Sequence, residues 1–213
     1  MTGERGQAFT LEAVAATIVI VTSLVFALQV TAVTPLSAST SNQHIENQQQ
    51  LLGDGLLSAA AENGTLKQSI LYWDPDANGG EGAFHCATGE DGEYTGGLED
   101  SCNPPVAGTP QPTPPTAFGA ALAESFGPGV AVNVNVSYGG VPQRLQFLGQ
   151  PTDNAVTATR TVVLYDDDRL VEENGDSGDR LEDLAADEFY VDNQDDSEDV
   201  YAVVEVEVVV WRI

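Results

Sequence analysis

Residues 6–33 read GQAFTLEAVAATIVIVTSLVFALQVTAV, and this stretch decides the architecture. From Ala13 to Val33 no residue is charged across 21 positions. At about 1.5 Å rise per residue a helix of that length is about 30 Å long, one hydrocarbon core. Its interruptions are Thr17, Thr22, Ser23, Gln29 and Thr31; the hydroxyls can bond back to helix carbonyls, and Gln29 sits near one end. The stretch can span a bilayer, and one acid, Glu12, stands just ahead of the uncharged run.

The rest of the chain is built for water. The 213 residues carry a formal charge of −26. The first 50 hold only Glu4, Arg5, Glu12 and Glu46, a net of −2, which leaves −24 for the remainder. Lys67 is the one lysine, and the six arginines are scattered, so no basic stripe exists to neutralise phosphates and nucleic-acid binding is not expected. Adhesion to an anionic lipid surface is disfavoured for the same reason. Such an acid excess repels itself at ordinary ionic strength but is screened within a few ångströms in molar salt. The balance of many Asp and Glu, almost no Lys and a valine- and alanine-rich core resembles that of proteins from salt-rich habitats; an acidic extracellular protein of another habitat is the alternative. About 150 residues remain after an N-terminal helix of about 60, the size of one domain with a real core.

The leader MTGERGQ, residues 1–7, is too short for a secretory n-region with its own apolar core, and no A-x-A site follows Leu28. The string Arg5-Gly6-Gln7-Ala8-Phe9-Thr10-Leu11-Glu12, followed at once by an apolar helix, resembles the class III signal of archaeal, in particular haloarchaeal, type IV pilins. The resemblance covers about residues 5–33. It implies a leader cut on the cytoplasmic side by a prepilin peptidase. Cleavage after Gly6 would make Glu12 the sixth residue of the mature chain, and cleavage after Gln7 the fifth, which is the family's spacing. It also implies that Glu12 meets the new N-terminal ammonium of a neighbouring subunit, since a carboxylate near a bilayer is costly and usually paired. The implied partners are like or related pilin subunits, the peptidase and the pilus assembly machinery, and the implied product is a surface filament for adhesion. Without that resemblance, Glu12 reads as an interfacial acid favoured by the helix N-terminus. The chain is then an uncleaved single-pass surface protein whose acidic ectodomain binds a ligand or partner. Either way the N-terminus is expected in the cytoplasm and the C-terminal part outside.

Thr34-Pro35 is expected to kink the helix or interrupt it, because proline removes a donor and disfavours helix at the residue before it. A polar stretch, LSASTSNQHIENQQQ, follows over residues 36–50. Ile45, Leu52, Leu56 and Ala59 then share one helical face, the pattern of a stalk docking its distal end on a head and stopping near Asn63-Gly64. His44 reads as a solvated stalk residue.

Residues 63–129 read as irregular. Asn63-Gly64-Thr65 is an N-glycosylation sequon at a helix end. Leu71-Tyr72-Trp73 suits a short strand or core anchor. Asp74, Asp76 and Asn78 with Gly79 match the first half of a calcium-binding loop, but the twelfth position is His85 rather than the bidentate glutamate such a loop needs. A plain Asp/Asn/Gly turn is the competing reading, and it is preferred. Cys86 and Cys102 are the only cysteines; outside the membrane they are expected to pair. A zinc site from His85, Cys86 and Cys102 lacks a fourth ligand. Residues 103–115 (NPPVAGTPQPTPP) form a proline-rich connector, and residues 117–126 a short amphipathic helix.

The last third is β. Val130, Val132, Val134, Val136 and Tyr138 alternate with Ala131, Asn133, Asn135 and Ser137, the period of a half-buried strand. Gly139-Gly140 turns the chain into residues 143–148. Residues 156–165 and 201–213 make two further strands, the last with Val204, Val206, Val208 and Val210 on one face. Asn135-Val136-Ser137 is a second sequon, on the polar face. Residues 166–199 carry sixteen acids against Arg169 and Arg180, and read as a solvated insertion with one helical turn at 180–188.

The expected fold is α+β: a leader (1–7), a membrane and assembly helix (8–34), a stalk helix (35–62), an irregular region (63–129) and a β part (130–213) of about four mainly antiparallel strands. The sequence has no glycine-rich phosphate loop, no H-E-x-x-H and no G-x-S-x-G. An enzyme is not expected, nor a required cofactor.

Overall fold

Helix α1 runs Gly3–Glu62 as one element of 60 residues in a computed structural model of the chain. The structure describes residues 3–96, 114–127, 129–186, 188–194 and 199–213, with the side chains of 3–9 and 30–42 outside that description. The expected break at Thr34-Pro35 is absent: the backbone stays helical through both residues. Proline removes a single N–H from the ladder, and the bonds on either side can carry the helix past it. The chain divides into two compact units not at that proline but between Ile45 and Glu46, so the expected border between membrane helix and stalk is not where the units part.

The described part of the first unit, Met1–Ile45, is the α1 backbone from Gly3 onward. Within it, Thr10–Gln29 is 20 residues long and apolar enough to cross a membrane, the one such helix among the described residues. Its hydroxyls behave as their spacing requires. Thr17 donates to the Ala13 carbonyl at 2.7 Å, Thr22 to Ile18 at 2.7 Å and Ser23 to Ile20 at 2.9 Å, so none is left bare on an apolar helix.

The second unit, Glu46–Ile213, is α+β. After α1 come α2 (Thr65–Ile70), β1 (Trp73–Asp74), β2 (Ala83–Phe84), α3 (Ala117–Ser125), β3 (Val130–Tyr138), β4 (Val141–Gln146), β5 (Val156–Tyr165), β6 (Arg169–Val171), β7 (Ser177–Arg180) and β8 (Val200–Arg212). Four strands form one antiparallel sheet in the order β4-β3-β8-β5, and β1-β2 and β6-β7 are two-stranded antiparallel pairs. The last strand of the chain thus inserts between β3 and β5. Gly139 and Gly140 both carry positive φ, 57° and 84°, as a two-residue type I′ hairpin requires, and this tight turn starts β4 two residues earlier than the sequence suggests.

One face of the sheet is the core. Val204, Val206, Val208 and Val210 of β8 are buried beside Val132, Val134 and Val136 of β3 and Ala158, Val162 and Leu164 of β5. Helix α1 covers this face with a set that matches the expected one only in part, Leu56 packing at its margin. Gln49, Gly53, Leu57 and Ala60 are its buried positions, whereas Leu52 and Ala59 face solvent. The reason is close approach: a Cβ on Gly53 would stand 3.0 Å from the Ala158 Cβ, so the helix lies on the sheet through a glycine that an apolar pattern does not count.

Among the described residues between Glu62 and the sheet, an aromatic cluster packs around Trp73. Trp73 stacks edge-on with Phe84 at 5.2 Å, meets Tyr190 at 4.8 Å and donates its indole N–H to the Glu188 carbonyl at 3.0 Å. Gly82, at φ 74°, lies directly against the indole, where any Cβ would collide. The acidic stretch is likewise not wholly a solvated insertion. It forms the β6-β7 pair and a short 3-10 turn, Leu181–Asp183, within the range expected for a helical turn, and it buries Leu170, Leu181, Phe189 and Val191. Apolar residues spaced singly among acids provide the anchors, and of the acids Asp166 and Asp168 are themselves half-buried.

Candidate functional site

Two parts of the chain carry the residues singled out from the sequence, and their chemistry differs. In the first unit, Glu12 lies near the start of the apolar span and is exposed, with no hydrogen bond or ion pair among the described residues. Leu11, Val14, Ile18, Val19 and Phe26 are exposed as well. This apolar surface is covered by none of the described residues, and a carboxylate at the edge of such a surface is costly unless paired. Gly6 and Gln7 belong to the backbone of α1, and their side chains fall outside the described residues.

In the second unit, the residues read as half of a calcium loop close a turn instead. Asp74 Oδ1 accepts the Asp76 backbone N–H at 3.0 Å, and Asn78 donates its amide to the Glu90 carbonyl at 3.3 Å. Asn78 itself sits at φ 54°, the left-handed region that Asn tolerates. Among the described residues no three His, Cys, Asp or Glu side chains converge as a metal site would need. His85 approaches Asp74 Oδ2 at 4.0 Å and packs on the Tyr72 ring at 4.9 Å. Cys86 is disulfide-bonded, which removes it as a zinc ligand. Cys102, the other cysteine of the chain, lies outside the described residues. His44 is exposed on α1.

The polar groups that do come together hold the fold. Lys67 of α2 donates to Asp168 Oδ2 at 2.7 Å and lies 4.8 Å from the centre of the Tyr165 ring, while the same oxygen accepts the Tyr165 backbone N–H. The single lysine of the chain thus pins α2 to the turn after β5. Three tyrosines have phenols held neutral by burial: Tyr72 is pushed up to about 12 by burial and then by the nearby Glu173, and Tyr94 and Tyr190 are raised further. Each donates to a backbone carbonyl, Tyr94 to His85 at 2.6 Å and Tyr190 to Ile70 at 3.0 Å, as buried hydroxyls must. None of these groups forms a nucleophile with an adjacent base.

The two sequons differ. Asn63 is exposed just past the end of α1, and its side-chain oxygen accepts both the backbone N–H of Thr65 at 3.0 Å and the Thr65 hydroxyl at 2.7 Å. Asn135 is half-buried in β3 and donates its amide to Glu207 Oε2 at 2.9 Å. Asn133, expected on a polar face, is buried: it donates to the Gly149 carbonyl at 2.9 Å and accepts the Leu148 N–H at 2.8 Å, so the segment after β4 folds over that side of the strand. Sequence reading also missed a surface groove of about 400 Å³ lined by Leu51, Leu52, Gly55, Ala59, Ala117 and Ala121. Its signal was the run of leucines and small residues at 51–61, which was assigned to the docking face.

A family of unknown function, DUF7288, matches residues 5–210. The chain belongs to this family. Because the match takes in Glu12 and the apolar span as well as most of the last strand, the DUF7288 architecture includes both the N-terminal helix and the α+β unit. No curated protein and no solved structure matches the chain.

Proposed function

We propose that this DUF7288 protein is a membrane-anchored structural subunit of the cell surface, pilin-like in its N-terminal signal and in the way its helix recruits neighbours. The observation that carries the reading is the segment Thr10–Gln29: apolar, exposed along its whole length within the chain, and edged by Glu12 without a partner among the described residues. Lipid accounts for the apolar surface, and a neighbouring subunit's N-terminal ammonium accounts for the acid. The leader 1–7 is removed at Gly6 or Gln7, and the freed ammonium is the charge that Glu12 meets in the next subunit.

The second unit faces outward, where its acidic surface is screened by salt and where Cys86 and Cys102 form one bridge. N-terminal sequencing of the protein recovered from membranes tests the reading: the chain is expected to begin at Gln7 or Ala8, and an intact Met1 marks an uncleaved single-pass anchor instead. Replacing Glu12→Gln is expected to leave membrane insertion intact and to abolish recovery in surface filaments. Undiminished incorporation of that variant would overturn the pairing role.

A further inference from the structure

We propose that Asn63 is a glycan attachment site used on the folded chain, and that Asn135, in the other sequon, is not. The chain holds two Asn-x-Ser/Thr sequences, and sequence alone favours Asn63, at a helix end, over Asn135, on a strand. The structure separates them by backbone conformation, by exposure and by what the amide nitrogen is doing.

Asn63 lies between α1 and α2, on a bend that needs Gly64 at φ 79°. A Cβ at Gly64 would meet nothing within 4 Å, so the outer side of the bend is open. The two hydrogen bonds from Thr65 to the Asn63 side-chain oxygen hold the carboxamide and the hydroxyl together as one compact unit. Both use the oxygen. Nδ2 has no partner among the described residues and stays available as the nucleophile. Asn63 and Thr65 also line the surface groove, with Asn63 exposed.

Asn135 differs on each count. Strand β3 has a neighbour on both sides, with Asn135 opposite Arg144 and Glu207, Val136 opposite Gln143 and Val206, and Ser137 opposite Pro142 and Glu205. Drawing this tripeptide into a bent conformation would break ladder bonds on two strands and pull Val136 out of the core, while its Nδ2 is already committed to Glu207.

The reaction is a glycosyl transfer from a lipid-phosphate-linked saccharide, carried out by a membrane transferase. Asn63 Nδ2 forms a bond to the anomeric carbon, the bond from that carbon to the phosphate oxygen breaks, the lipid phosphate leaves with the electron pair, and one Nδ2 proton passes to a base of the transferase. No oxidant or reductant is needed. The proposal rests on the outward placement of the second unit.

The test uses full-length protein from its own cells, with two measurements side by side: protease digestion of intact cells, and mass spectrometry of the Asn63 and Asn135 peptides. The expected result is an externally cleavable unit, a saccharide mass on the Asn63 peptide and a bare Asn135 peptide. The mass should be lost in Asn63→Gln and Thr65→Val and kept in Thr65→Ser, with unchanged thermal unfolding showing that the variants fold. An externally cleavable unit with a bare Asn63, or with the saccharide on Asn135, overturns the site assignment while leaving the surface reading standing. A unit protected from protease on intact cells overturns the outward placement and this proposal with it.

Discussion

The apolar residues of the two units obey opposite rules. In Thr10–Gln29 they lie outside: Phe26 is 68% exposed, and Leu24, Leu28 and Ile18 are similar. In the sheet of the second unit they lie inside: Val204 and Val208 are fully buried, and the outer positions of the same strand are Val203, Glu205 and Glu207. The difference teaches where each unit gets its stability. The sheet folds by removing its own apolar area from water, whereas the apolar area of the N-terminal helix is left uncovered by the described residues.

Alkaline pH should break this symmetry most completely. The phenols of Tyr72, Tyr94 and Tyr190 are neutral in the folded unit and raised above their ordinary value of 10. Between pH 10 and about 12, where Tyr72 itself begins to titrate, the unfolded chain loses protons that the folded chain keeps, so stability falls as pH rises through that window. The second unit is expected to unfold there, followed by the fluorescence of its buried Trp73 and Trp211, while the apolar span, which has no tyrosine, stays with the membrane fraction.

A pair of truncations sharpens the comparison. Leu57→Ala empties a fully buried site under α1 and should cost about 2–5 kcal/mol in denaturant unfolding. Leu24→Ala, the same change on the exposed span, should leave that unfolding midpoint where it was. Equal losses would mean that the helix surface is part of the core after all. Reduction is the smaller perturbation. If Cys86 pairs with Cys102, opening the bridge should lower the stability of the second unit by roughly 3 kcal/mol in the chain-entropy view, with no change in membrane attachment. A free thiol at Cys102 in non-reducing mass spectrometry would remove the bridge from the account.

Strong periodicity was legible directly. The period-two runs at 130–138, 156–165 and 200–212 form three strands of the four-stranded sheet, and Gly139-Gly140 forms the expected hairpin turn. What failed were readings that counted only apolar residues. The docking face of α1 includes Gln49 and Gly53, and the acidic stretch 166–199 keeps its place through isolated Leu170, Leu181 and Phe189. Helix α2 is too short to announce itself by pattern, and it is fixed by Lys67 on Asp168, a contact between residues about a hundred positions apart. For the candidate sites, Glu12 and both sequons were visible as residue types, and a helix end already favoured Asn63 over Asn135, but the hydrogen bonds that hold each asparagine were not legible.

By itself the sequence determined that residues 13–33 are uncharged over one bilayer thickness, that the charge lies beyond them, and that the last third pairs as strands, because length, charge and alternation are local properties. Only the tertiary structure decided that β8 enters between β3 and β5, that Asn78 reaches the Glu90 carbonyl, and that Asn135 is held by Glu207 in the ladder. These depend on which distant backbone and side chains meet, and no local pattern encodes that.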